Sequence, residues 1–242
     1  MQIYSKTDTG KMRHTNQDAH NSFELDGNTV FAIVCDGMGG ANAGNIASEN
    51  AVKIISEYIK RSYRKNMDFI GISSLLKSAV VSANMELYDM SLKNSDLNGM
   101  GTTVVVAAVR ENSAVICHVG DSRAYLVSGD SIAQLTTDHS MVQSLVESGK
   151  LTPEQAKIHP RKNVITRALG AEENVLVDCV DVNMVKGDTI LLCSDGLTNF
   201  VEVKDILKAF KNNDISVVAE FLTNCANNGG GGDNITVVTV TV

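Results

Sequence analysis

No stretch of this sequence holds the ~20 uninterrupted apolar residues that a helix needs to cross a bilayer, so no membrane is expected as partner. The first residues, MQIYSKTDTGK, lack the charged and then hydrophobic build of a secretion signal, and the expected compartment is the cytoplasm. Basic residues are in deficit: 21 Lys and Arg against 28 Asp and Glu leave a net charge of −7. Nucleic acid is therefore not an expected partner, because binding to its backbone rests on a basic patch. Proline is nearly missing, with Pro153 and Pro160 falling in one polar stretch. No repeat occurs and only residues 229–232 are of low complexity, so no linker divides the chain and one domain is expected over 1–242. Paired CxxC spacing is absent too. Cys35, Cys117, Cys179, Cys193 and Cys225 are scattered, mostly inside apolar runs. They are expected to be small buried core thiols in a reducing compartment, not a zinc site.

What is present looks like a globular enzyme: 43% hydrophobic and 20% charged residues are ordinary for one and too apolar for disorder. Runs rich in Val, Ile and Thr predict strands at 29–35, 102–109, 114–119, 124–127, 132–136, 175–184, 189–193 and 235–242. Helical spacing appears at Ala47, Ala51, Ile54, Ile55 and Tyr58, again from Ile72 through Leu87, and again from Val217 through Cys225. Two helices in succession precede a run of hairpin-spaced strands, and a helix pair precedes the last strand. A parallel β-α-β chain would alternate instead. The order predicts an α+β fold, antiparallel sheets packed together with helices segregated outside. Residues 138–174 hold both prolines and weak periodicity, and are expected to be an insertion between two strands.

One local pattern recurs. The apolar run before Asp36 ends in Asp36-Gly37, and the run before Asp195 ends in Asp195-Gly196. Gly232-Asp233 precedes the last strand, Gly120-Asp121 follows another, and Asp18 stands ahead of an early one. Each alone reads equally well as a turn dipeptide. Together they matter, because adjacent antiparallel strands bring their ends to a common edge. Carboxylates converging there would repel one another strongly unless protons or cations intervened. An all-oxygen cluster of this kind suits hard divalent ions such as Mg²⁺ or Mn²⁺, and glycine beside the Asp lets a backbone carbonyl turn toward an ion.

Eight short motifs follow in order: Arg13 with Asn16-Gln17-Asp18; Asp36-Gly37-Met38-Gly39-Gly40; Gly101-Thr102-Thr103; Gly120-Asp121-Ser122-Arg123; Asp138-His139-Ser140; Ile165 to Gly170; Ser194-Asp195-Gly196-Leu197; and Gly232 to Thr236. In these motifs, from about Thr9 to Val242, the sequence resembles the metal-dependent Ser/Thr protein phosphatases of type 2C, most of all the compact bacterial catalytic-domain forms. The resemblance implies a sandwich of two antiparallel sheets flanked on both sides by helix pairs. It implies a single catalytic domain over 1–242, with 138–174 as a flap beside the active site. It also implies two tightly bound Mn²⁺ or Mg²⁺ ions and a weaker third. Asp36 would bridge the pair, the Gly37 carbonyl would bind one ion, Asp195 and Asp233 would complete the ligands, and Asp18 would stand close by. Asp121, with Asp195, would hold the third ion; the alternative is a turn aspartate paired with Arg123. Arg13 would grip the phosphate with its planar fork.

The implied activity is hydrolysis of phosphoserine and phosphothreonine by direct attack of an activated water, with no phosphoenzyme. Partners would be phosphorylated targets of a Ser/Thr kinase, and the kinase itself, acted on by a monomer in cell signalling. Two departures stand out. Position 38 is Met where many eukaryotic relatives carry a His as general acid, although bacterial relatives commonly have Met, and position 17 is Gln where relatives often have Glu. Each of the five histidines, His139 included, is expected to be structural or on the surface. The alternatives are a non-catalytic phosphopeptide-binding relative and a metal-dependent phosphoesterase for small molecules.

Overall fold

The structure, a computed structural model, describes residues 1–39 and 43–242; Gly40, the last residue of the second motif, lies outside them. In chain order the elements are β1 (Gln2–Asp8), β2 (Asp18–Leu25), β3 (Thr29–Met38), α1 (Ala43–Ser62), α2 (Phe69–Lys93), β4 (Gly101–Thr102), β5 (Val104–Arg110), β6 (Ser113–Val119), β7 (Arg123–Ser128) and β8 (Ser131–Gln134). The chain continues through α3 (Met141–Glu147), α4 (Pro153–Lys157), β9 (Asp178–Asn183), β10 (Thr189–Cys193), α5 (Asp195–Thr198), α6 (Val203–Asn212), α7 (Ile215–Asn228) and β11 (Ile235–Thr241). One sheet runs β1-β11-β10-β7-β8 and the other β2-β3-β5-β6-β9, with β4 pairing the end of β3. Every pairing is antiparallel.

The two-residue period of a strand explains the layers. On β3, Val30, Ala32 and Val34 enter the core between the sheets, while Phe31, Ile33 and Cys35 enter the core under α1 and α2. On β10, Ile190 and Leu192 face the first core, and Leu191 and Cys193 face a third core beneath α6 and α7. Central strands are thus covered on both faces, which is why they read as unbroken apolar runs rather than alternating ones. The outcome is the expected sandwich of two sheets between helix pairs. Among the described residues, no helix is long and apolar enough to cross a membrane.

Three readings need correction. First, β1 and β2 were not expected. Both are edge strands whose outer faces are only partly buried, so QIYSKTD and DAHNSFEL carry too few apolar residues to show a period. Second, the predicted strand at 102–109 is two strands, β4 and β5. Thr103 breaks the ladder and turns its hydroxyl onto the backbone N–H of Asp36 at 3.0 Å. Third, the cysteines are not all buried thiols. Cys117 on β6 and Cys179 on β9 are direct cross-strand partners joined by a disulfide, and Cys179 is exposed. Cys35, Cys193 and Cys225 remain free, the first two buried. Thiol labelling of the unfolded chain should therefore count three reactive cysteines before reductant and five after; five before reductant would contradict the pairing.

Candidate metal centre

Register carries the aspartates to one end of the sandwich. Asp18, first residue of β2, faces Asp36 near the end of β3. Cys193 ends β10 opposite Val237 of β11, so Asp195 and Asp233 follow and precede these strands at the same end. Asp121 lies two residues beyond β6, whose end faces the start of β5. A cavity of ≈ 250 Å³ opens here, with Arg13, Asp36, Gly37, Asp121, Asp195 and Asp233 in its wall. It adjoins a larger one of ≈ 680 Å³ beneath α3 and α4, and the two share Asp121, Asn163 and Asp195.

Hydrogen bonds fix the backbone behind each carboxylate. The Asp36 carbonyl accepts from the Thr103 N–H and the Thr102 hydroxyl, both at 2.9 Å. Gly37 donates its N–H to the Gln17 carbonyl at 3.0 Å, and a β-carbon on it would overlap the Gly44 carbonyl at the start of α1. Glycine is required for that close approach. Gln17 contributes through its backbone, donating its N–H to Asn234 Oδ1, while Asn234 Nδ2 donates to the carbonyls of Thr9 and Thr15. Asn234 thereby pins the segment carrying Arg13 and Asp18 to the residues just before β11, Asp233 among them. Asp18 Oδ2 accepts from the buried Ser194 hydroxyl at 2.7 Å, and Asp195 Oδ2 from Asn199 at 2.9 Å. The opposite oxygens, Asp18 Oδ1 and Asp195 Oδ1, are buried with no hydrogen-bond partner among the described residues.

Burial, and then mutual repulsion, raises the proton affinity of the group. Asp18 and Asp121 are pushed up to about 7 and Asp195 to about 6. The Asp36 carboxyl is also raised well above the usual range, by burial first and then by Asp18, Asp195, Asp121 and Asp233. An all-oxygen set of crowded carboxylates, two of them with unpartnered buried oxygens, fits hard divalent cations. The pH dependence has a definite sign. Unfolded aspartates release protons near 3.8, whereas folded Asp18 and Asp121 hold theirs to about 7. The folded chain binds more protons across that window, so this contribution to stability is present below 3.8 and lost as pH rises to about 7. Melting of chelated protein should show this loss, smaller in Asp121→Asn; identical pH dependence in both proteins would contradict it.

Arg13 is half exposed and donates from Nη2 to Asp233 Oδ2 at 2.9 Å, which holds its fork in the wall of the cavity. Asp121 is not paired with Arg123: that guanidinium grips both oxygens of Asp138, at 2.8 and 2.6 Å. Met38 ends β3 and borders the cavity. Sequence reasoning assigned no role to Asn234, Thr103, Ser194 or Asn199. The first three stand in or beside the quoted motifs, and that adjacency was their only signal.

Comparison with known proteins adds a lineage. The profile of the family described as protein phosphatase 2C matches residues 11–230. The chain is 43% identical over 238 residues to the serine/threonine phosphatase stp of Listeria welshimeri, covering 97% of this chain and 93% of that one. Its fold is similar to the crystal structure of the serine/threonine phosphatase Stp1 from Staphylococcus aureus, with a TM-score of 0.92 at 34% identity, covering 99% of this chain and 94% of that one. It is also similar to the catalytic domain of the serine/threonine protein phosphatase PstP in complex with two manganese ions, with a TM-score of 0.84 at 31% identity, covering 98% and 96%. A profile match over nearly the whole length, close relatives and the same sandwich agree: the chain belongs to the protein phosphatase 2C family.

Proposed function

We propose that the chain is a protein-serine/threonine phosphatase that hydrolyses phosphoserine and phosphothreonine in proteins, opposing a Ser/Thr kinase. The observation that carries this reading is the convergence of Asp18, Asp36, Asp121, Asp195 and Asp233 at one sheet end, with Arg13 at the mouth, in a chain of this family. Asp36, the Gly37 carbonyl, Asp195 and Asp233 would hold two Mn²⁺ or Mg²⁺ ions, with Asp18 behind them. Asp121 with Asp195 would hold a weaker third. Bound there, the cations supply Lewis acidity that brings the pKa of a water toward neutrality and offsets phosphate charge. The protein fixes where that water and the phosphate sit. Asp36 is anchored through Thr102 and Thr103, and Arg13 orients the phosphate for in-line attack. Met38 has no proton to give the leaving alkoxide. Residues 138–174 act as a flap over the larger cavity, within a single catalytic domain that works as a monomer in the cytoplasm. Two buried free thiols, Cys35 and Cys193, support that compartment.

Arg13→Ala should cost about 1.5–3 kcal/mol, the scale of charge-assisted hydrogen bonds, or roughly 10–150-fold in kcat/KM. Inhibition by inorganic phosphate should weaken in parallel. Unchanged values of both would remove Arg13 from phosphate binding. The reading as a whole is tested by offering a phosphothreonine peptide, p-nitrophenyl phosphate and nucleotides with Mn²⁺. Turnover of the first two supports it. Binding of the peptide without turnover would make the chain a phosphopeptide-binding module, and turnover of nucleotides alone a small-molecule phosphoesterase.

A further inference from the structure

Asp138-His139-Ser140 stands outside the carboxylate cluster, yet each member has a structural task. Asp138 holds Arg123, and Ser140 caps α3 by accepting the Gln143 N–H at 3.2 Å. His139 is buried and grips one residue twice. Its backbone N–H donates to the Gly120 carbonyl at 3.0 Å, and its ring Nδ1 accepts the Gly120 N–H at 3.1 Å. Both backbone groups of Gly120 are therefore taken by His139, one residue before Asp121.

That residue needs holding. Gly120 has φ +104°, and a β-carbon on it would lie 2.6 Å from Thr103 Cγ2. The turn is open only to glycine, whose backbone freedom is the largest of any residue. Its N–H is buried, and without His139 it would be left unpaired. On the far side Ser122 Oγ meets Thr103 Oγ1 at 2.7 Å, so Asp121 is suspended between two anchors.

The tautomer of His139 follows from the same bond. Nδ1 accepts, so the proton sits on Nε2, which donates to Asp178 Oδ2 at 2.9 Å. Arg167 Nη1 lies 3.2 Å from both Nε2 and Asp178 Oδ2; two donors cannot bond, so it pairs with the carboxylate. His118 stacks on the ring, with centroids 4.6 Å apart. His118, His139 and Asp178 come close enough to suggest a metal site. With both nitrogens of His139 engaged and a guanidinium beside it, the trio works instead as a hydrogen-bonded brace. Asp178 is itself held in place: it faces His118 across β6 and β9, and the next pair along is Cys117 with Cys179.

We infer that His139, oriented by Asp178, is a positioning residue that holds the Gly120 peptide so that the Asp121 carboxylate is set toward Asp195 for the weakly bound third cation. This rests on the role proposed above for Asp121. Groups behind a metal ligand commonly change affinity by ~10–100-fold when removed.

The two ring nitrogens can be tested separately. Asparagine places its Oδ1 near the position of Nδ1, and glutamine places its amide near Nε2. Calorimetric titration of chelated full-length protein with Mn²⁺, alongside thermal melting, reads the sites without turnover. His139→Ala and His139→Gln should weaken the low-affinity event by ~10–100-fold and leave the tight events unchanged. His139→Asn should restore it to within a few-fold, and Asp178→Asn should give an intermediate loss. Asn behaving like Ala, or a loss spread equally over tight and weak events in a folded variant, would overturn the inference, His139 then being only a packing residue. If Ala does not fold, the Asn–Gln contrast decides alone. Asp121→Ala is the reference: an unchanged weak event there removes the third-site reading and the inference with it. A lost event there with an unchanged one in His139→Gln removes the inference only.

Discussion

Asp36→Ala or Asp233→Ala is expected to abolish hydrolysis and leave the fold intact. The Asp36 carboxyl is the most crowded in the cluster, with four other aspartates acting on it. Its backbone is secured independently, through Thr102 and Thr103, so truncating the side chain does not release the strand. In metal-free protein the change also relieves repulsion, and melting should be unchanged or slightly higher. With Mn²⁺ present, activity should fall at least about 10³-fold, equivalent to about 4 kcal/mol of transition-state stabilisation. Stabilisation by Mn²⁺ should shrink as well, because a ligand that binds only the folded state stabilises it by an amount that rises with the logarithm of its affinity. Full activity in either variant would refute the proposed centre.

Asp121→Ala should separate the third site from the other two. Asp121 lies on its own turn after β6, held by His139 and Ser122 rather than by the β2–β3 pair that carries Asp18 and Asp36. Fewer protein carboxylates converge there, so a cation should bind more weakly and exchange with solvent. Met38 cannot protonate the leaving oxygen, and under the proposed function a cation held by Asp121 would supply the acidity for that step. Proton donation in the transition state is worth about 10²–10⁴-fold, and kcat at saturating Mn²⁺ should fall into that range. Two tight binding events should persist in calorimetry while the weak one disappears. An unchanged titration with unchanged kcat would return Asp121 to the role of a turn residue.

Asp36, Asp121, Asp195 and Asp233 were legible in the sequence because each stands at a strand end beside glycine, whereas Asp18, with no glycine beside it, was carried only by its motif. Their convergence followed from antiparallel order alone, and the register of Asp18 on Asp36 bears it out. Edge strands β1 and β2 were hidden because they are only partly buried along their length and carry too few apolar residues to show a period. The disulfide depends on β6 meeting β9 in one register, across a sequence separation of 62, and no local pattern encodes that. Asn234 and His139 were hidden for the same reason. Asn234 acts on Thr9 and Thr15 from the far end of the chain, and His139 acts on a peptide group, which no side-chain pattern records. The Asp121–Arg123 pairing does not form because Asp138 supplies Arg123 with a bidentate partner.

The central claim is that the aspartate cluster acts through bound divalent cations on phosphorylated Ser and Thr. Phosphate release from a phosphothreonine peptide tests it most directly, measured on chelated protein, after restoring Mn²⁺, and on Asp36→Ala treated alike. The account predicts no release without metal, full recovery on adding Mn²⁺, and no recovery in Asp36→Ala. Release that persists in excess chelator, or that returns in the variant, would contradict it.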